Sequence, residues 1–139
     1  MPILMDADAL AVFMNDVFKQ VAQDFAIDHV GETDLTTRLL THDRHLRPGG
    51  TVSGPSIFAL ADVSAYLMTL ARIGPKALAV TTNCSIDFMR KPAANVDLVA
   101  KTRLLKLGRL LSVCDVLVYS EGLEDPVARA SLTYSIPPK

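Results

Sequence analysis

The hydrophobic positions change period along the chain, and each change marks an element. Over residues 6–23, Leu10, Phe13, Met14, Val17, Phe18 and Val21 recur at helical spacing. They predict an amphipathic helix, wet along Asn15, Asp16, Lys19 and Gln20, with Asp6 or Asp8 capping its start. From Phe25 the period falls to two. Phe25, Ile27 and His29 alternate with Ala26, Asp28 and Val30, Gly31-Glu32 turns, and residues 34–42 read as a second short strand. That is the pattern of a β-hairpin. Residues 43–53 then form a loop.

Gly54 to Ala71 breaks the alternation. These eighteen residues are nearly all apolar or small, and Asp62 is their one charge. Leu, Ala and Met favour helix, Pro55 fits its first turn, and Gly74-Pro75 closes it. A helix apolar all round is normally buried. A carboxylate halfway along it is costly unless it is paired, hydrogen-bonded or neutralised.

Alternation then returns for the rest of the chain. Across residues 77–90, Leu78, Val80, Thr82, Cys84, Ile86 and Phe88 fall on one face and Ala79, Thr81, Asn83, Ser85 and Asp87 on the other. Further strand-like runs cover 96–106, 110–120 and 127–136, joined by the short turns at Gly108-Arg109 and at 121–125. Short turns make an antiparallel meander, and its apolar face needs a cover. The central helix supplies one. The expected fold is α+β: an antiparallel sheet wrapped around one long helix, with an extra N-terminal helix over residues 1–24, in a single domain spanning 1–139. Leu110, Val116, Val118 and Leu132 are assigned to the sheet's other face, which predicts an oligomer contact there.

Composition narrows the function. With 50% hydrophobic and 21% charged residues, the chain supports a packed core and not a disordered state. A net charge of −1 gives no general attraction to nucleic acid or membrane. The apolar Gly54–Ala71 stretch carries Asp62 and Pro55 and does not read as a membrane span. Met1 to Asp6 lacks a signal peptide's basic start, and Cys84 and Cys114 read as reduced thiols, so a cytoplasmic location is expected. His29, His42 and His45 show no metal-ligand spacing, and neither a metal nor a resident cofactor is expected. His45 reads as a solvated loop residue.

The candidate chemistry centres on Asp62. Phe58, Ala59, Ala65 and Tyr66 lie one turn either way, and desolvation there favours the neutral acid unless partners offset it. Such a carboxylate acts as nucleophile or general base, or is held by a loop for structure alone. The loop feeding the helix carries Arg47, Gly49 and Gly50, and it leads to free N–H groups at the helix start. Gly54 precedes Asp62 by eight residues, about 12 Å along the axis. One helix cannot use both on one carbonyl. Two antiparallel copies across a two-fold axis can, which predicts a homodimer with shared sites.

The run from Gly50 to Asp62, Gly-Thr-Val-Ser-Gly-Pro-Ser-Ile-Phe-Ala-Leu-Ala-Asp, resembles the signature of hotdog-fold acyl-CoA thioesterases of the PaaI-like branch. There the pattern is Gly-x-x-His-Gly-Gly, a short apolar stretch, then Leu-x-Asp. Thr81 to Pro92 is similar to the family's Thr-x-x-Leu-x-x-x-Phe-Leu-Arg-Pro strand, and Leu104 to Arg109 to its following hairpin. The likeness runs from about residue 25 to the end. Ser53 stands where the family has His, Pro55 where it has a second Gly, and Arg47 where many members have Asn or Gln.

The resemblance implies a homodimer, or a tetramer of two dimers, that hydrolyses an acyl-CoA thioester. The Gly54 N–H would polarise the carbonyl, and Asp62 of the other subunit would attack it or activate water. Arg47, Ser53, Pro55, Ser56, Tyr66, Thr81, Thr82 and Asn83 would surround the substrate, with Thr81 or Thr82 positioning water or the acyl group. Arg47 could instead pair with a carboxylate, and Tyr66 could pack in the core, bond Asp62 or line an acyl tunnel. Six of the fourteen cations lie between residues 90 and 109. Of these Arg90, Lys91 and Arg109, with Gly108, are assigned to one coenzyme A phosphate patch, whereas Lys101 and Arg103 read as solvated. Aromatic interleaving for nucleic acid is missing. The Ser53, Pro55 and Arg47 departures also favour an alternative, an acyl-CoA binding or sensing module without hydrolysis.

Overall fold

The computed structural model describes residues 2–138. Helix α1 (Ala7–Val17) and a single turn, α2 (Lys19–Ala22), precede strands β1 (Phe25–Val30) and β2 (Asp34–Leu39). A 3-10 turn (Asp43–His45) leads to the long helix α3 (Gly54–Ile73), followed by β3 (Val80–Phe88), β4 (Leu98–Leu107), β5 (Leu111–Ser120) and β6 (Pro126–Ser135). All six strands form one antiparallel sheet in the order β1-β2-β4-β5-β6-β3.

Helix α3 forms the core of the molecule. Ser53 caps it by accepting the Ser56 N–H, Pro55 sits in its first turn, and Gly74 ends it at φ 92, a conformation that favours glycine. Leu60, Met68 and Leu70 are fully buried with Leu35, Leu98 and Val118 of the sheet. Two buried polar ties fix the helix on the strands. Thr37 Oγ1 and Ser64 Oγ lie 2.5 Å apart, and Thr69 Oγ1 donates to Ser112 Oγ at 2.9 Å. By length and hydropathy α3 could cross a membrane, but most of it is buried against the chain's own sheet, as a core helix is.

The structure departs from the periodicity in four places. The N-terminal helix is broken: Phe18 adopts φ −140, ψ 41 between α1 and α2, and its ring packs edge-on against Tyr66, with centroids 6.3 Å apart. Only Leu10 and Met14 of α1 are fully buried. Val116, Val118 and Leu132 face α3 and are buried, so the outward apolar contact expected of them does not exist; Leu110 alone of that set is exposed. The second hairpin strand stops at Leu39, three residues before residue 42.

The fourth departure matters most. β3 begins at Val80, and its register against β6 slips between Thr81 and Asn83: Thr81 pairs with Tyr134 and Asn83 with Thr133. This bulge moves Thr81 to the inner side with Cys84 and Ile86 and leaves Thr82 exposed, the reverse of strict alternation. β3 is also an edge strand, with Val80 56% and Phe88 53% exposed.

Candidate active site

Asp62 lies on the side of α3 that looks toward β6 and β3. It is half-buried, not sealed among apolar neighbours as the helix alone suggested. Thr81 Oγ1 donates to its Oδ1 at 2.6 Å, and the Tyr134 hydroxyl donates to the same oxygen at 2.7 Å. The two donors are a cross-strand pair, which is why both reach one atom. The Tyr134 hydroxyl also lies 3.1 Å from the Asp62 carbonyl oxygen. Oδ2 has no hydrogen-bond partner among the described residues and is not buried.

Burial, and then the Asp62 charge, hold the Tyr134 phenol well above its usual range, so it remains a donor. The same two causes raise the nearby Cys84 thiol. Tyr134 carries no motif that marks it. Alternation puts it on the same face of β6 as Leu132, which the structure turns inward, and which side chain it meets depends on how β6 crosses α3.

Asp62 opens into a cavity of about 610 Å³ between α1–α2, α3 and the start of β3. Tyr66 lines this cavity, but its hydroxyl donates to Ala77 O at 3.0 Å and not to Asp62. Burial raises its phenol also. Thr82 donates to Thr133 O at 3.2 Å on the exposed side, and Asn83 is exposed, so neither faces Asp62.

Gly54 sits at the opposite end of the sheet from Thr81. It is the first residue of α3, where N–H groups lack intrahelical partners. A Cβ there would lie 3.5 Å from the Phe88 ring. The preceding loop is a built structure. His45 is buried: its Nδ1 accepts the His42 N–H at 2.9 Å, and its Nε2 lies 3.5 Å from Asp24, contrary to a solvated role. Its carbonyl accepts the Ser53 N–H at 2.8 Å, and Leu46 bridges to Val52. Gly54, Arg47, Phe88, Arg90 and Lys91 line a second cavity of about 650 Å³. Arg47 is exposed there and makes no ion pair among the described residues, so the alternative pairing with Asp62 does not occur within the chain. Ser53 and Ser56 engage each other at the cap.

The cation patch divides. Phe88 pairs with Ala128 near the start of β6, whereas Ser135, at its end, pairs with Val80 and Leu111. Arg90 and Lys91 therefore lie at one end of the sheet and Gly108-Arg109 at the other, about 30 Å apart at the rise of a strand. One chain does not bring them together. Lys101 lies over the Tyr119 ring on the outer face of the sheet, in keeping with a solvated role. Among the described residues, no three His, Cys, Asp or Glu side chains are grouped so as to hold a metal ion.

The family model of the thioesterase superfamily matches residues 49–127, more than half the chain and all of α3 and β3. The chain belongs to the thioesterase superfamily. Its six-stranded sheet around a long helix is the hotdog fold of that family. It is 56% identical to a candidate thioesterase from Silicibacter sp., covering 99% of this chain and 96% of that one with a TM-score of 0.93. A Streptococcus mutans protein bound to acetyl-CoA is 26% identical, over 83% of this chain and 90% of its own, with a TM-score of 0.71. The phenylacetic acid degradation protein PaaI of Thermus thermophilus is 25% identical, over 91% and 99%, with a TM-score of 0.71. PaaI is thus one similar structure among several, and the likeness does not single out its branch. No curated protein sequence matches the chain.

Proposed function

We propose that the chain hydrolyses an acyl-CoA thioester in a site shared by two subunits. The observation that carries this reading is the state of Asp62: one carboxylate oxygen held by Thr81 and Tyr134, the other free at a cavity wall. A carboxylate so oriented is ready to act, because Oδ2 needs no rearrangement to meet substrate or water. Acting as base, it takes a proton from a water whose oxygen attacks the carbonyl carbon. Acting as nucleophile, it forms an anhydride that water then cleaves. In both cases the C–S bond breaks and coenzyme A leaves as the thiol. The developing oxyanion needs a donor, and Gly54 of the partner subunit supplies a backbone N–H at the positive end of a helix.

The exposed β3 edge supports the dimer. Antiparallel pairing of two β3 strands about a two-fold axis sets the Phe88 end of one beside the Val80 end of the other. Gly54, near Phe88, then approaches the other subunit's Asp62, near Thr81. The same operation moves Arg90 and Lys91 of one subunit toward the sheet end that carries Gly108 and Arg109 of the other, where they would meet the coenzyme A phosphates. The Streptococcus mutans protein with acetyl-CoA bound supports the coenzyme A ester as ligand class. The reaction needs no metal in this scheme, and nothing in it calls for membrane or nucleic acid.

Hydrolysis of a panel of acyl-CoA esters by wild type, Asp62→Ala and Asp62→Asn is the test, and turnover by wild type that both variants lose is expected. Unchanged turnover in both removes Asp62 from the mechanism. Pro55 removes one N–H from the helix start, which favours the second reading of a binding module without hydrolysis. Ligand-induced stabilisation by acyl-CoA with no turnover on any ester would establish that reading.

A further inference from the structure

The residues that break the N-terminal helix all face one place. Val17, Phe18, Gln20 and Val21 line the cavity that holds Asp62. Their apolar members belong to the stripe the helical pattern expects in the core, yet Val17 is 46% and Phe18 36% exposed. Of the fourteen large apolar side chains left exposed among the described residues, five line this one cavity: Val17 and Phe18 with Phe58, Leu78 and Val80. Such concentration at a concave site marks a binding surface, unlike single apolar residues scattered over a surface.

An aromatic path leads inward from Phe18. Its ring meets Tyr66 edge-on, Tyr66 lies 5.9 Å from the Tyr134 ring, and the Tyr134 hydroxyl holds Asp62. The wall from the α1–α2 break to the carboxylate is therefore continuous. Among the described residues Asp62 is the only charged side chain in it, with Gln20 and Thr81 among the few polar ones. At about 610 Å³ the cavity falls in the range of small-ligand sites, roughly 300–1,000 Å³.

From this we infer that the cavity under the α1–α2 break binds the acyl part of the substrate, and that it takes a neutral, apolar acyl group of medium length. The inference rests on the reading of Asp62 as the site of thioester attack. A carbonyl within reach of Oδ2 sends its tail along the Tyr134–Tyr66–Phe18 wall. An acyl group ending in a carboxylate is disfavoured, because its charge would be desolvated in the same wall that already holds Asp62. α1 and α2 are thus specificity elements, and the non-helical Phe18 turns their apolar side chains toward the ligand.

The test measures dissociation constants of butyryl-, octanoyl- and succinyl-CoA for the full-length Asp62→Asn protein by calorimetry. Each buried methylene tightens binding about fourfold, so octanoyl-CoA is expected to bind on the order of 100-fold tighter than butyryl-CoA. Succinyl-CoA is expected to bind no tighter than butyryl-CoA. Adding Phe18→Ala, or the milder surface change Val17→Ser, reduces the octanoyl preference by tenfold or more for Phe18 and several-fold for Val17. Butyryl-CoA, whose chain ends nearer Asp62, is expected to lose less than octanoyl-CoA in both.

Equal binding across chain lengths, a preference for succinyl-CoA, an octanoyl preference untouched by both substitutions, or failure to bind any of the three esters overturns the inference. Its failure is distinct from failure of the hydrolytic reading. Asp62-dependent turnover with no chain-length preference sinks the acyl cavity alone. A chain-length preference that Phe18→Ala removes, in a protein that hydrolyses nothing, sinks hydrolysis alone.

Discussion

Tyr134→Phe removes one hydroxyl and leaves the ring in place. The side chain is 4% exposed, and its ring contact with Tyr66 does not need the oxygen. The lost interaction is a 2.7 Å hydrogen bond to a carboxylate oxygen that keeps its 2.6 Å bond from Thr81. Hydrogen bonds to charged groups contribute about 1.5–3 kcal/mol. If the pair of donors holds Asp62 in its attacking orientation, that loss falls on the transition state and lowers kcat about 10- to 150-fold. Stability should change little, since Oδ1 retains a donor. The assay is steady-state release of free thiol from octanoyl-CoA, with the melting temperature measured in parallel. Thr81→Val should give a loss of similar size. Because both bonds fall on one atom, the double variant should be non-additive, with a coupling of about 0.5–3 kcal/mol. A folded Tyr134→Phe protein whose kcat stays within twofold of wild type would refute the reasoning. So would a rise in KM at constant kcat, which would make Tyr134 a wall of the cavity and nothing more.

Two further outcomes are expected. Burial pushes the Cys114 thiol up to about 11 from an ordinary value near 9.0, with the Asp115 charge adding to the effect. A raised value means full stability below pH 9 and loss as pH climbs through 11, at about 1.4 kcal/mol per pH unit, or about 2–3 kcal/mol in all. Urea unfolding at pH 8 to 11 should show wild type losing that much more than Cys114→Ala, and parallel curves would count against it. At the other end of the sheet, Lys91→Ala should raise KM for acyl-CoA several-fold in low salt without changing kcat, and the difference should shrink in 0.5 M salt. A salt-independent effect would remove Lys91 from phosphate binding.

Some of this protein could be read along the chain because it is local. The caps of α3, the Pro55 start and the Gly74 stop depend on neighbours a few residues away, and so does the burial of a helix apolar on every side. Strand alternation depends only on the pleat, so the meander and its cover by α3 were also legible, and with them the oddity of Asp62 in an apolar helix. The remainder required contacts between distant segments. The bulge at Thr81 inverts the expected face of two residues, and a one-residue slip leaves no mark on composition. Tyr134, seventy-two residues after Asp62, joins it only because β6 crosses the middle of α3 beside β3. The cations at 90–91 and at 109 are near in sequence and far in space, since a whole strand length separates the two ends of the sheet. Phe18 leaves the helix because an aromatic partner and an open cavity lie beside it, and periodicity describes only the helix it leaves. Local pattern is enough to specify a sheet wrapped around one helix with a carboxylate at its middle. The tertiary structure decided which groups hold that carboxylate and what space it faces, because those depend on strand register and crossing, which no local pattern encodes.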